Sequence, residues 1–239
     1  MKIGKNLLRL SLVTAIAGCA LSFGSVAYAE PDQASIARGG RLYDKWYKVI
    51  KVEAPKEPHK LYPAANAKMA ADAANNWRCK ECHGWDGLGA AGAYKEGSHA
   101  SGIKGINGMI GGDPAKVVEL LKGDHAYGDK LAEQDLTDLA NFVVAGQIDF
   151  TKYVSADKKI IGDAAVGKQI FETVCMNCHG PDGKLPKDMP PLGSLTSNPW
   201  EVMHKVLNGQ PGEVMPALRA IDHTVAANVV AYLATLPAE

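Results

Sequence analysis

Two short strings of the sequence each place two cysteines and a histidine within five residues. The first string reads CKECHGWDG over residues 79–87, and the second reads CMNCHGPDG over residues 175–183. Two thiols three positions apart, followed by an imidazole, can bind zinc, act as a dithiol redox pair or attach haem covalently. The candidate site residues are therefore Cys79, Cys82 and His83 in the first string and Cys175, Cys178 and His179 in the second.

Covalent haem attachment fits both strings better than zinc or dithiol chemistry. A structural zinc site usually takes four ligands from two close pairs, but these pairs lie 96 residues apart and each has its own histidine. A thioredoxin-like dithiol belongs beside a βαβ pattern, and no strand-rich region flanks either string. In haem attachment the two thiols bind the vinyl groups and the next histidine binds the iron. The sequence therefore predicts two covalently attached haem c groups, with the cysteines as attachment points and the histidines as iron ligands.

The second half of the chain predicts three helices around its string. Residues 163–180 carry apolar side chains four apart and end at a glycine. Residues 199–209 begin with an asparagine N-cap and a proline at the first position. Residues 223–237 form an apolar stripe. The expected order is helix, loop, helix, loop, terminal helix.

The first half repeats this order with additions. Helices are predicted at residues 114–123 and 132–146, and a further N-terminal helix at 35–50. The Pro- and Lys-rich residues 51–63 predict a linker or surface loop, and residues 146–162 a joint between the halves.

These strings and helices resemble class I cytochrome c, repeated in tandem. The resemblance covers most of the chain after its leader and is tighter in the second half. It implies an all-α fold of two cytochrome c-like helical domains, residues 30–150 and 151–239, each wrapped around a covalently bound haem. In this plan the first and last helices of each domain cross.

The resemblance also implies a distal ligand for the second iron. Met215, in GQPGEVMPAL, lies between the last two helices and is followed by a proline, as the axial methionine of the family is. Met189 and Met203 are the alternatives, and Met203 is expected to fill the core instead. A carbonyl at Pro190 would hold the second nitrogen of His179.

The first half lacks both the methionine and the proline at the corresponding positions. At the place corresponding to Met215 stands His125, in LKGDHAYGDKL. Met109, His99 or an open iron are the alternatives to His125 as the distal ligand. No proline follows the first string at the family's spacing, so the carbonyl partner of His83 is left undefined.

Residues 1–29 predict a secretory signal peptide. Basic residues precede an apolar run that ends in Ala-Tyr-Ala at residues 27–29, a pattern that signal peptidase accepts. A membrane span and a lipid anchor at Cys19 are the alternatives. We expect a periplasmic protein with no transmembrane span after cleavage. All four cysteines that remain lie in the two strings, so none is left for a disulfide.

The whole chain has 26 basic and 26 acidic side chains among its 239 residues. This balance does not indicate nucleic-acid binding. The expected partners are redox proteins that donate and accept electrons. The predicted function is electron transfer through two haems. Electrons are expected to enter at the first haem and leave at the second. The alternative is a haem enzyme or enzyme subunit, peroxidase-like or sulfur-compound-oxidising, or a gas sensor, each requiring an open or weakly bound first iron.

Overall fold

Helices carry almost all of the regular structure in residues 32–239, the part of the chain that the computed structural model describes. The predicted signal peptide and Cys19 lie outside these residues. Short 3₁₀ turns occur at Asn107–Met109 and Phe150–Lys152, and single π turns at Phe142–Gly146 and Phe171–Cys175. The helices are α1 Gln33–Val49, α2 Ala67–Ala70, α3 Ala73–Asn76, α4 Cys79–His83, α5 Pro114–Lys122, α6 Glu133–Asn141, α7 Ala164–Ile170, α8 Met176–His179, α9 Leu192–Leu195, α10 Pro199–Asn208 and α11 His223–Leu233.

In the described residues, β-type pairing is limited to two isolated bridges. Gly89 pairs with Lys104, and Val154 pairs with Ile160, each through a single antiparallel bridge. No β-strand forms within residues 32–239. The predicted all-α, cytochrome c-like fold is confirmed.

Helices α5 and α10 begin in the same way in the two halves. Asp113 accepts a hydrogen bond from the backbone N–H of Ala115, and Pro114 occupies the first helical position. Asn198 likewise caps α10, with Pro199 at its first position. A side-chain oxygen satisfies a free N–H of the first turn, and proline has no N–H to lose there. The predicted starts of both helices are confirmed.

Each half contains one close crossing between a first and a last helix. A Cβ atom at Gly39 of α1 would lie 2.0 Å from the carbonyl oxygen of Asp138 on α6. A Cβ atom at Gly167 of α7 would lie 1.8 Å from the carbonyl oxygen of Asn228 on α11. Only glycine lets the two backbones approach this closely. The crossing of first and last helices therefore occurs in both halves.

Two separate hydrophobic clusters lie at these crossings. The first cluster includes Trp46 and Leu136 and draws its buried members from residues 36–144. The second includes Phe171 and Val229 and draws on residues 150–233. Met203 is fully buried in the second cluster, as expected for a methionine that fills a core.

The halves differ in how the crossing helix reaches its cysteine string. In the second half α7 continues through the π turn at Phe171–Cys175 directly into α8. In the first half α1 ends at Val49, and α4 begins only at Cys79. Residues 50–78, called here the inserted segment, lie between them and contain the short helices α2 and α3.

A buried polar junction joins α1 to α10. The ring Nε2–H of His204 donates to the backbone carbonyl of Gly40 at 2.8 Å. The carboxylate of Asp44, only 1% exposed, accepts from Arg78 at 2.5 Å and from Lys205 at 2.7 Å. Burial opposes ionisation of Asp44, but Lys205 and Arg78 outweigh it and hold the pKa of this carboxyl well below its ordinary value. The junction thus contains a paired, buried charge.

Among the described residues, no helix combines the length and apolar character needed to cross a bilayer.

Candidate haem sites

The two cysteine strings end in the same backbone turn. Gly84 follows the first string with φ 79° and ψ 163°, and Gly180 follows the second with φ 78° and ψ 163°. Both glycine N–H groups donate back into the preceding helix, to the carbonyl of Lys80 at 2.9 Å and of Met176 at 2.8 Å. A positive φ is available to glycine without a steric cost. The Cys-x-x-Cys-His-Gly strings therefore fold alike.

The similarity continues beyond the strings. The N–H of Ile106 donates to the carbonyl of Gly87 at 2.7 Å, and the N–H of Leu192 donates to the carbonyl of Gly183 at 3.1 Å. Gly87 and Gly183 are the last residues of the two strings. Ile106 and Leu192 therefore occupy equivalent positions, although the loops that lead to them differ in length.

This equivalence identifies a carbonyl partner for His83. The Nδ1–H of His83 donates to the backbone oxygen of Lys104 at 2.8 Å. Lys104 precedes Ile106 by two positions, as Pro190 precedes Leu192. Lys104 thus provides in the first half the carbonyl that the family resemblance places at Pro190 in the second. Because Nδ1 is occupied, Nε2 is the nitrogen that His83 can offer to a metal.

His179 has a buried ring nitrogen without a partner. Its Nδ1 makes no hydrogen bond within residues 32–239, including to the expected carbonyl of Pro190. Burial lowers the pKa of His179, and burial likewise lowers the pKa of His83 although the Lys104 carbonyl opposes this. Both imidazoles are therefore neutral near pH 7, the form that binds a metal ion. The carbonyl contact that His83 makes with Lys104 therefore has no counterpart at His179 in this structure.

His125 faces His83 across the first site. The two ring centroids lie 6.3 Å apart. Two imidazoles on opposite sides of one metal ion, with metal–nitrogen bonds of about 2 Å, have ring centres roughly 6 Å apart. Nδ1 of His125 is held by the carbonyl of Leu120 at 3.2 Å, which again leaves Nε2. The spacing and the free nitrogens fit an iron between these rings.

The other candidates for the first site contact different groups. His99 donates from Nδ1 to the buried carboxylate of Glu81 at 2.7 Å and stacks on Tyr94. Met109 lies in the 3₁₀ turn and packs against the first hydrophobic cluster. At the second site, Met215 and Met189 are both half-buried against the second cluster. Met215 therefore remains a prediction from the resemblance.

The cysteines lack the properties of a reactive dithiol. Burial raises the pKa of Cys79 and of Cys82 to about 12, and burial also raises the pKa of Cys175. A reactive dithiol needs a thiolate, whose pKa is lowered. All four thiols are free, and in residues 32–239 no three His, Cys, Asp or Glu side chains converge as a metal site would require.

Two contacts of the first string could not be predicted from the sequence. The Lys104 carbonyl gives no signal, because every residue has one and the connecting loop differs in length from its counterpart. Trp85, which lies within the first string, packs its ring 5.1 Å from that of His204 in the junction. Its position in the string was visible, but its partner across the junction was not.

The helical fold and the two Cys-x-x-Cys-His strings are those expected of a haem c protein. Residues 162–233 match the family described as Cytochrome C oxidase, cbb3-type, subunit III. This part of the chain is a c-type cytochrome domain, as the resemblance predicted. No curated protein matches the chain.

Two solved structures show limited similarity. A chain of the reducing HAO-like protein complex from Kuenenia stuttgartiensis is 14% identical with a TM-score of 0.28, covering 77% of this chain and 99% of that one. The as-isolated thiosulfate dehydrogenase from Marichromatium purpuratum is 15% identical with a TM-score of 0.23, covering 87% of this chain and 47% of that one. At such scores neither similarity bears on the fold or the function of this chain.

Proposed function

We propose that the protein is an exported dihaem c-type cytochrome that passes single electrons between redox partner proteins. The observation that carries this proposal is the matching backbone geometry of the two Cys-x-x-Cys-His-Gly strings, each beside its own hydrophobic cluster. One haem site lies in residues 30–150 and one in residues 151–239. The apolar leader ending at Ala29 directs the chain to the periplasm.

The chain's residues hold each haem from both sides. Cys79 and Cys82 form the thioether bonds of the first site, and Cys175 and Cys178 those of the second. Each bound haem iron supplies a reversible one-electron change between Fe(III) and Fe(II). His83 and His179 are the proximal ligands.

The distal residues set the direction of transfer. His125 completes a pair of imidazoles at the first site, in keeping with its ring spacing to His83. Met215 supplies a thioether at the second site, a softer donor that favours Fe(II) and raises the potential. With these ligands, electrons would enter at the first site and rest preferentially at the second. A redox titration that gives two equal, high potentials would contradict this order.

The number of haems is tested by intact mass and by cysteine variants. The mature protein should weigh two haems more than its polypeptide, with cleavage after Ala29. Replacing Cys79 and Cys82 together by alanine should remove one haem, and replacing Cys175 and Cys178 should remove the other. A colourless wild-type protein, or a mass increase of one haem only, would refute the proposal.

Carbon monoxide separates the electron carrier from the enzyme and sensor alternatives. Both alternatives need an open or weakly bound first iron, whereas His83 and His125 are placed to occupy both sides of it. The reduced wild-type protein should therefore show no rapid spectral change with carbon monoxide. Rapid binding would favour an enzyme or a sensor.

A further inference from the structure

The inserted segment, residues 50–78, contacts the loop that carries His125. We propose that His59 of this segment is a positioning residue that holds the His125 loop in the geometry needed for the distal side of the first haem. This inference rests on the proposed function, in which His125 binds that iron.

The hydrogen bonds of His59 define which ring nitrogen carries the proton. Nδ1 of His59 accepts from the backbone N–H of Leu61 at 3.1 Å. Nε2 must then carry the hydrogen, and it lies 3.0 Å from the backbone carbonyl of His125. His59 is 7% exposed, so this N–H has little access to water. The neutral ring therefore donates a buried hydrogen bond directly to the distal residue.

Asn76 of α3 holds the backbone of His59 in place. The side-chain oxygen of Asn76 accepts from the His59 N–H at 2.9 Å. Its amide group donates to the carbonyls of Met69 at 3.1 Å and Ala70 at 2.9 Å. Asn76 is 1% exposed. A buried side chain with its hydrogen bonds satisfied is a rigid anchor.

The ring of His59 is fixed by aromatic packing. The Trp77 ring meets it edge to face at 4.3 Å, and the indole N–H of Trp77 donates to the Glu57 carbonyl at 2.8 Å. The hydroxyl of Tyr127 donates to the Trp77 carbonyl at 2.7 Å. Tyr127 lies two positions after His125, so the same aromatic group holds the loop at the distal residue and just after it.

The His125 loop needs such support. Ala126 has φ 55°, in the left-handed region, which is sterically unfavourable for a residue with a Cβ atom. The second half has no counterpart of the inserted segment, because α7 leads directly into α8 through the π turn. Its corresponding loop carries Met215 instead of a histidine. The inserted segment is therefore specific to the half in which an imidazole is the proposed distal ligand.

The test compares the holoprotein with His59→Phe. Phenylalanine keeps an aromatic ring against Trp77 but cannot donate to His125. In the oxidised wild type, electron paramagnetic resonance should show a low-spin signal of two imidazoles. In His59→Phe this signal should decrease, and the reduced protein should bind carbon monoxide at least ten times faster than the wild type. Lys60→Gln is the control, because it changes the exposed neighbour of His59 in the same segment and leaves the contacts of His59 in place.

The outcomes separate this inference from the proposed function. A wild type without the two-imidazole signal would refute the His83–His125 pair itself. A normal wild type with an unchanged, folded His59→Phe variant would refute only the role of His59. If His59→Phe does not accumulate, His59→Gln and His59→Glu at pH 8 replace it. Glutamine can donate to the carbonyl and should keep the signal, whereas glutamate cannot and should lose it. Identical spectra for these two variants would also refute the inference.

Discussion

In the proposed first haem site, His125 is the residue on which the chemistry depends most directly. Its ring lies opposite His83, and its Nδ1 is already held by the Leu120 carbonyl. The residue type matters because an imidazole and a thioether set different potentials. A single substitution can therefore change the electronic role of the site without changing the attachment of haem through the cysteines.

We expect His125→Ala to open the distal side of the first site. The reduced variant should bind carbon monoxide rapidly at one haem per protein, while the second haem keeps its spectrum. The measurement is the carbon monoxide difference spectrum after stopped-flow mixing. His125→Met provides the comparison, because a thioether should restore a six-coordinate iron and raise its potential. If His125→Ala excludes carbon monoxide as the wild type does, Met109 or His99 is the distal ligand instead.

The residue scale also shows what the sequence could predict of the site. Cys79 and His83 are recognisable because haem attachment requires those side chains at that spacing. The carbonyl of Lys104 was not predictable, because a backbone oxygen is independent of residue type and its position depends on the path of the loop. His59 was missed for another reason. It lies in a stretch that the Pro and Lys content predicted to be a surface loop, yet it is buried.

At the scale of elements, the glycines at the two helix crossings are equivalent. Gly39 and Gly167 each face a carbonyl of the opposite helix. The periodicity of apolar residues predicted these helices well, because it depends on which face of each helix is buried. It did not predict that α1 crosses α6 as α7 crosses α11, since the inserted segment separates α1 from its cysteine string.

We expect Gly39→Ala and Gly167→Ala each to lower the free energy of unfolding by about 1–3 kcal/mol, because the added methyl group forces the helices apart. The clash is with backbone in both cases, so a side-chain rotation cannot relieve it. Thermal unfolding of the holoproteins, followed by circular dichroism, measures the change. Gly108→Ala is the control, since its methyl group would meet nothing within 4 Å. Equal stability of all three variants would show that the helices do not cross this closely.

At the scale of the whole molecule, the junction between α1 and α10 makes the stability of the protein depend on pH. Burial lowers the pKa of His204 to about 4, below its ordinary value near 6.5. Asp44 opposes this shift, while Lys205 and Arg219 reinforce it. Between these pH values the unfolded chain binds a proton that the folded protein does not. Stability from His204 is therefore present above about pH 6.5 and is lost as the pH falls to about 4.

We expect this titration to account for roughly 3 kcal/mol of the free energy of unfolding. His204→Gln keeps an N–H donor for the Gly40 carbonyl but cannot titrate, so its stability should vary less between pH 6.5 and 4. Denaturant unfolding at several pH values gives the two curves, and their difference isolates His204 from the other histidines. Parallel curves for the wild type and His204→Gln would contradict the assignment of this pH dependence to His204. Asp44 acts in a separate pH range. Because its pKa is lowered, the stability that it contributes is lost only at pH values below about 4.

For the proposed dihaem protein, the paired charge at Asp44 has a kinetic consequence. Lys205 of the second half binds the carboxylate of Asp44, which Arg78 also binds within the first half, so separating the halves would remove one of two cations from a buried carboxylate. The two proposed haems would therefore be held at a fixed separation. Exchange of an electron between them should be unimolecular, with a rate that dilution does not change.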